Sequence, residues 1–344
     1  MNNWKKYSRS VCIALAFSIA AVMSVPADEI LPPTGPGMTA EQQSLAANTA
    51  GTQSISKTPS RLPSLGGTYT TSVQESGASG ASSSGTSVAL PTGTAGEISM
   101  PEQPEIAAQG AVLYDATNNR FLFEKNGDTH FYPASITKLM TALLVAENCS
   151  LDETVTFSAS AVTNLESGAV TLQVKAGDQF SVKDCMYGLL LKSANEIANG
   201  LAEHVAGSVS AFADLMNAKA ASLGCTNTHF VNPNGLNNSQ HYTSARDMAL
   251  IASAAFSNST VRQIAGTLNY DFPATSSVPT VRRLTMGHKM LNPANAEYYE
   301  GIVGGKTGYT SLAGNTLVTC AERNGVRLIA VILKSSQTHY SDTK

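Results

Sequence analysis

Three short segments hold the residue types that acyl-transfer chemistry requires. In Ser135-Ile136-Thr137-Lys138, which follows Pro133-Ala134, a serine and a lysine stand at i and i+3. On a helix those positions share one face, so hydroxyl and amine meet across a single turn. A serine hydroxyl is a weak nucleophile until a base removes its proton. Lysine can be that base when burial or a neighbouring cation lowers its pKa. The start of a helix also presents unpaired N–H groups to a developing oxyanion. Ser193-Ala194-Asn195 supplies a hydroxyl that can relay a proton and an amide that can hold a carbonyl, although an ordinary helix N-cap would use the same residue types. Lys306-Thr307-Gly308 follows Gly304-Gly305 and precedes Tyr309-Thr310. A cation and a hydroxyl there suit a carboxylate, and the glycine permits close approach; a bulged edge strand is the plainer account of that glycine.

Spacing alone does not make a site. Ser54-Ile55-Ser56-Lys57 has the same spacing as Ser135 and Lys138, but Pro59 follows it and no amphipathic run does. What separates the two is the surrounding element. From 134 to 148, Leu139, Leu143 and Ala146 recur at helical spacing and predict one buried face. Ser181 and Asp184 form a capping pattern before a helix over 185–192, and helices are predicted at 195–206 and 210–223, the latter stopped by Gly224. Ser244 caps a further helix over 245–256. Strands are predicted at 108–115 and 120–124 around Asn118-Asn119, and at 316–322 and 326–333 around Asn324-Gly325, a strong hairpin signal. Strands at both ends and helices between them predict an antiparallel sheet, built from both ends, against a helical region. After Leu333 no amphipathic helix is expected.

The chain has 344 residues, 42% hydrophobic and only 14% charged, with a net charge of −3. That balance disfavours nucleic acid, whose phosphates call for clustered Lys and Arg. Residues 1–27 read as a secretory signal: Lys5, Lys6 and Arg9 precede an apolar run from Val11 to Val25, and small residues lead to a cut before Asp28. Residues 28–104 are rich in Ser, Thr, Gly, Ala and Pro, with no charge between Glu75 and Glu97, and read as a disordered tether. Residues 105–344 form the globular part. Cys149, Cys185, Cys225 and Cys320 show no CxxC spacing and are expected to be buried free thiols.

The three motifs occur in the order SxxK, SxN, KTG, each in a fitting context: helix start, interhelix turn, strand. The triple resembles the signature of active-site serine penicillin-binding proteins and β-lactamases. Ala134 to Ala142, Tyr187 to Glu196, Asn227 to Leu236 and Gly305 to Thr310 are similar to the matching segments of the D-alanyl-D-alanine carboxypeptidases, the low-molecular-mass penicillin-binding protein family of serine DD-peptidases. The resemblance covers about residues 106 to 344. It implies an α+β, β-lactamase/transpeptidase-like fold: a five-stranded antiparallel sheet flanked by helices, plus an all-helical lobe. It implies peptidoglycan stem peptides as substrate and β-lactam antibiotics as inhibitors. Ser135 would attack the D-Ala-D-Ala carbonyl, Lys138 act as general base and Ser193 pass protons. Asn195 would position the acyl group, Lys306 and Thr307 would bind the terminal carboxylate, and the Ser135 and Tyr309 N–H groups, beside Gly308, would form the oxyanion hole. The enzyme would be exported, to the outer face of the membrane or the wall, and would have no stable protein partner.

Two departures are visible. Many family members carry an arginine near the end of the catalytic domain that helps bind the carboxylate, and this neighbourhood holds His339. Members also continue into a further helix, a small β-rich domain and an amphipathic anchor, so an end at Lys344 reads as a truncated product. Other readings share parts of the pattern. A class A-like β-lactamase needs a glutamate on the loop between SxN and KTG, yet no Asp or Glu lies between Asp214 and Asp247, Glu297 and Glu300 sit just before KTG, and Glu166 precedes Ser193. A zinc carboxypeptidase needs a ligand pair such as HExxH, which none of the six His provides, so no metal or other cofactor is expected. A DD-endopeptidase would use the same site, and a non-catalytic wall-peptide-binding module would not need the nucleophile. Ser135→Ala should abolish covalent labelling by penicillin while Ser54→Ala leaves it unchanged, both read by intact mass.

Overall fold

The computed structural model describes residues 103–344 apart from 164. The expected signal, tether and Ser54 decoy lie outside the described residues. Strands β1 (Gly110–Asp115) and β2 (Arg120–Lys125) open the chain's fold. A single 3-10 turn, Ala134–Thr137, leads into α1 (Lys138–Asn148). Then follow β3 (Thr154–Thr156), α2 (Ala159–Thr163), β4 (Gln179–Ser181) and α3 (Val182–Tyr187), which runs on as a π turn over Gly188–Lys192. Helices α4 (Asn195–Ala206), α5 (Val209–Ser222), α6 (Ala245–Ser257) and α7 (Ser259–Ala265) complete the middle. The hairpin β5 (Asn269–Phe272) and β6 (Arg282–Thr285) precedes β7 (Ile302–Thr310), β8 (Gly314–Arg323), β9 (Val326–Ser335) and α8 (His339–Thr343).

The main sheet has the order β2-β1-β9-β8-β7, with every neighbouring pair antiparallel. Both ends of the globular part thus meet at its centre, where Gly110 pairs with Leu333 and Asp115 with Leu328. The Asn324-Gly325 turn takes positive φ at both residues (52° and 78°), as a type I′ hairpin requires. The predicted caps hold, since Ser181 and Ser244 each accept the N–H three residues on, and Ser208, not predicted as a cap, does the same for α5. Two boundaries differ from expectation. The first turn of the 134–148 segment is 3-10, and 188–192 is a π turn; such irregular turns cluster at functional sites. After β9 a short helix does form, and its Tyr340 packs with Ala108, Ala111, Met290, Leu317 and Ile332 on one face of the sheet.

The other face carries the principal core. Helix α1 is its axis: Lys138 to Val145 are all buried. A helix apolar nearly all round has no solvent face and belongs inside a core. Of the four cysteines among the described residues, expected to be buried, only Cys185 and Cys320 are buried, while Cys149 and Cys225 are half-buried. Among the described residues no helix is long and apolar enough to cross a membrane.

The segment before α1 is held under backbone strain. Ala134 has φ +51°, a region that costs a residue with a Cβ about 1–2 kcal/mol. Gly235, at φ +83°, lies directly against the Ala134 carbonyl, so a Cβ there would overlap that group. Gly224 has nearly the same φ (+82°) with nothing within 4 Å of a built Cβ. Gly224→Ala should therefore cost about 1 kcal/mol from the backbone alone, and Gly235→Ala at least about 2 kcal/mol more. Urea unfolding of the two variants measures the difference.

Candidate active site

The three motifs converge. Lys138 is fully buried (0% exposed) at the start of α1, and its Nζ donates to Asn195 Oδ1 (2.8 Å) and to the Asn234 carbonyl (2.5 Å), and lies 3.1 Å from Ser135 Oγ. The Asn195 amide is oriented by its other end, since Nδ2 donates to the Val170 carbonyl at 3.0 Å. Oδ1 is therefore the atom turned to the lysine. Burial first, then the charge of Lys306, push the Lys138 amine well below its ordinary value, while Glu196 opposes them. A neutral amine has two N–H bonds and one lone pair. The two carbonyl oxygens can only accept, so in its neutral form the amine would give them both N–H bonds and turn its lone pair to the Ser135 hydroxyl.

Lys306 is the second buried amine (1% exposed) and lies on β7, the edge strand of the sheet. Its Nζ donates to Ser193 Oγ (3.0 Å) and to the Thr307 carbonyl (2.8 Å). Burial alone brings it down to about 7. Ser193 sits in the left-handed region (φ 66°) between the π turn and α4, which aims its hydroxyl at the lysine rather than along either helix. Gly308 is where β7 passes Ser135: a Cβ there would stand 2.8 Å from the Ser135 nitrogen. Thr307 is half-buried on the same strand and Tyr309 is 67% exposed beyond it.

Buried hydroxyls pin the segment that carries Ser135. Thr316 donates to the Pro133 carbonyl (2.9 Å) and Thr141 to the Pro233 carbonyl (2.6 Å). His241 Nδ1 accepts the Val231 N–H at 3.1 Å, so its proton is on Nε2, which donates to Thr137 Oγ1 at 2.9 Å. Burial pushes this imidazole down to about 3, which keeps that tautomer neutral. Glu196 is buried beneath Asn195; burial raises its carboxyl, and Oε1 accepts the Leu172 N–H at 2.5 Å. It thereby ties down the strand-like segment whose Val170 carbonyl orients Asn195.

Every predicted site residue is accounted for. Ser135, Lys138 and Asn195 form one hydrogen-bonded group and Ser193 and Lys306 a second near it, and Thr307, Gly308 and Tyr309 lie on β7. His339 opens α8, packed beside Tyr340 with ring centroids 4.5 Å apart. Burial pushes its pKa down, so it adds little charge at neutral pH. Three contributors were not assigned from sequence: the Asn234 carbonyl, His241 and Glu196. A backbone carbonyl leaves no trace in residue type. Glu196, directly after SxN, looks like a helix first-turn acid until its burial is known.

An antiparallel sheet with its edge strand against a serine–lysine helix start defines the active-site serine peptidase and transpeptidase class. A solved Streptomyces K15 DD-transpeptidase variant shares it, with a TM-score of 0.64 and 31% identity over 70% of this chain and 96% of that one. Residues 97–337 match the peptidase S11 model, D-alanyl-D-alanine carboxypeptidase, and the chain belongs to that family. Curated relatives include the carboxypeptidases DacF of Bacillus subtilis, 32% identical over 67% of this chain and 58% of the relative, and DacC of Escherichia coli, 32% identical over 74% and 63%. The chain thus spans about three fifths of the length of these relatives.

The buried amines tie stability to pH. Lys306 has a folded pKa of about 7 against an ordinary 10.5, so from pH 7 upward the unfolded state binds more protons. Stability then rises with pH until about pH 9, where buried thiols with raised pKa values begin to pull the other way. Lys306→Met should flatten that rise and raise the melting temperature at pH 7, while cutting the rate of penicillin acylation by at least about 100-fold. Thermal melts across pH 7–9 test the first point and intact-mass kinetics the second.

Proposed function

We propose that this chain is an exported serine D-Ala-D-Ala carboxypeptidase that removes the terminal D-Ala from peptidoglycan stem peptides. One observation carries the reading: the Lys138 amine, which burial pushes well below its ordinary pKa, lies 3.1 Å from Ser135 Oγ with the Asn195 and Asn234 oxygens as its other two partners. Binding alone has no use for an amine held in that state, which argues against a non-catalytic module.

The chemistry follows from the geometry. The peptide lies along the open edge of β7, where unpaired backbone groups can take it as an added strand. Its terminal carboxylate meets Lys306 and Thr307, and that anion restores the charge on Lys306 which burial weakens. Lys138 takes the Ser135 proton as Oγ attacks the penultimate carbonyl. The N–H groups of Ser135 and Tyr309, brought together by the close pass at Gly308, receive the oxyanion. The Lys138 proton reaches the leaving amine with Ser193 as relay, D-Ala departs, and water opens the acyl-enzyme. A β-lactam ring would acylate Ser135 along the same path. Glu166, the only acid drawn to the 231–238 loop by a hydrogen bond in the described residues, accepts the Asn237 N–H (2.9 Å). That role differs from the deacylating base of a class A β-lactamase.

Incubation with benzylpenicillin should give a long-lived adduct on Ser135, and an uncross-linked pentapeptide should release D-Ala. Rapid turnover of the drug through a transient adduct would mean a β-lactamase instead. Cleavage of a cross-linked dimer without D-Ala release from pentapeptide would mean an endopeptidase. The pH–rate profile for acylation should rise through a pKa well below that of ordinary lysine, as Lys138 loses its proton.

A further inference from the structure

Helices α1 and α4 carry Lys138 and Asn195 at their N-terminal ends, where the two side chains are hydrogen-bonded. Their C-terminal ends also meet. Cys149 caps α1, His204 lies in the last turn of α4, and Glu153 stands on the short connection that follows α1. The thiol sulfur, a ring nitrogen and a carboxylate oxygen of these three residues all lie within 4.8 Å of one another. His204 Nε2 and Glu153 Oε2 are 3.1 Å apart. Ser150 N–H donates to Glu153 Oε1 (2.9 Å), which turns Oε2 toward the histidine. The two helices thus lie side by side and point the same way.

We propose that Cys149, Glu153 and His204 form a binding site for a borderline-soft divalent cation, zinc in the first instance. Thiolate, imidazole and carboxylate are its ligand set, and donors around a tetrahedral zinc stand roughly 3–4 Å apart, given bonds of about 2.0–2.3 Å. The surrounding field favours a cation. Parallel helices place their negative ends together, an arrangement that a positive charge relieves. Glu153 and His204 are each about a quarter exposed or less, so an ion can enter from solvent without unfolding. On binding, the Cys149 thiol proton passes to solvent and the thiolate, the imidazole and the carboxylate take three positions, with water in the fourth. The site staples the far ends of the two helices whose near ends hold Lys138 and Asn195. The 11 residues of α1 alone are about 16 Å long, and Ser135 lies a further turn beyond its start, so the site is about 20 Å from Ser135 and takes no part in the chemistry.

The plain alternative is a His204–Glu153 ion pair with an unrelated thiol beside it. Cobalt(II) separates them, because a thiolate ligand produces an intense near-ultraviolet charge-transfer band that histidine and carboxylate do not. The full-length reduced chain, stripped with chelator, should develop this band at one cobalt per chain and lose it to one equivalent of zinc. Cys149→Ser should abolish the band and His204→Ala should weaken binding by more than the roughly 10–100-fold of an outer-shell change. Cys225→Ser, at the other half-buried thiol, should leave the band intact. Near-ultraviolet circular dichroism of each variant confirms that it is folded. Absence of the band from the parent chain, its survival in Cys149→Ser, or its dependence on Cys225 would each overturn the site. The readout is the metal's own absorption, so its outcome does not depend on whether Ser135 turns over a substrate.

Discussion

Two lysine side chains removed from water, close enough to act on each other, set the terms for everything around them. An ammonium in a low-dielectric interior is costly, and a second one nearby adds repulsion. Neither amine has a carboxylate in contact among the described residues, and burial lowers the pKa of both. Glu196 is close enough to act on Lys138 but is itself pushed toward its neutral form by burial. A carboxylate in direct contact would have restored the Lys138 charge and removed the base. The neutral carbonyls of Asn195 and Asn234 satisfy its N–H bonds without doing so.

Holding that arrangement demands a backbone that the local sequence would not choose. Ala134 and Ser193, on either side of the site, both have positive φ without being glycine. Each persists because its surroundings leave no other conformation: the Ala134 peptide is wedged against Gly235 and the Pro133 carbonyl is tied to Thr316, while Ser193 is held by Lys306. Buried hydroxyls do most of this tying, since Thr141, Thr316 and Thr137 each reach across to a different segment. Strain and polar burial are thus concentrated where the chemistry is, and the purely apolar packing of α1 supplies the rigidity that sustains them.

The sequence disclosed the grouping of these residues better than their supports. That Ser135, Lys138, Ser193, Asn195 and Lys306 would lie close together was readable because their motifs occur in order on suitable elements, and both terminal hairpins were readable from Asn119 and Asn324-Gly325 turn chemistry. The helices at 195–206, 209–222 and 245–257 were legible to within a residue or two, whereas the one after Ser181 starts three residues earlier than its pattern suggested. What stayed hidden has a common cause. The Asn234 carbonyl, the burial of Glu196 and His241, and the meeting of Cys149 with His204 are all products of tertiary approach, and nothing in residue type or spacing encodes it. The π turn at 188–192 and the 3-10 start at 134 escaped for the same reason, since the site's geometry overrides the helical period there.

The central pairing of β1 with β9 bears on the order of events in a chain's life. Residues more than two hundred positions apart must find each other before the sheet has a middle, and β7, with Lys306, can join only through β8. Contacts of such long range are slow to form because the whole intervening chain must be confined first. A nascent chain therefore carries Ser135 and Lys138 for most of its synthesis with no edge strand to complete the site. Until its last hairpin is available the sheet has no centre and β7 has no neighbour, so the pocket between them is among the last features of the fold to exist.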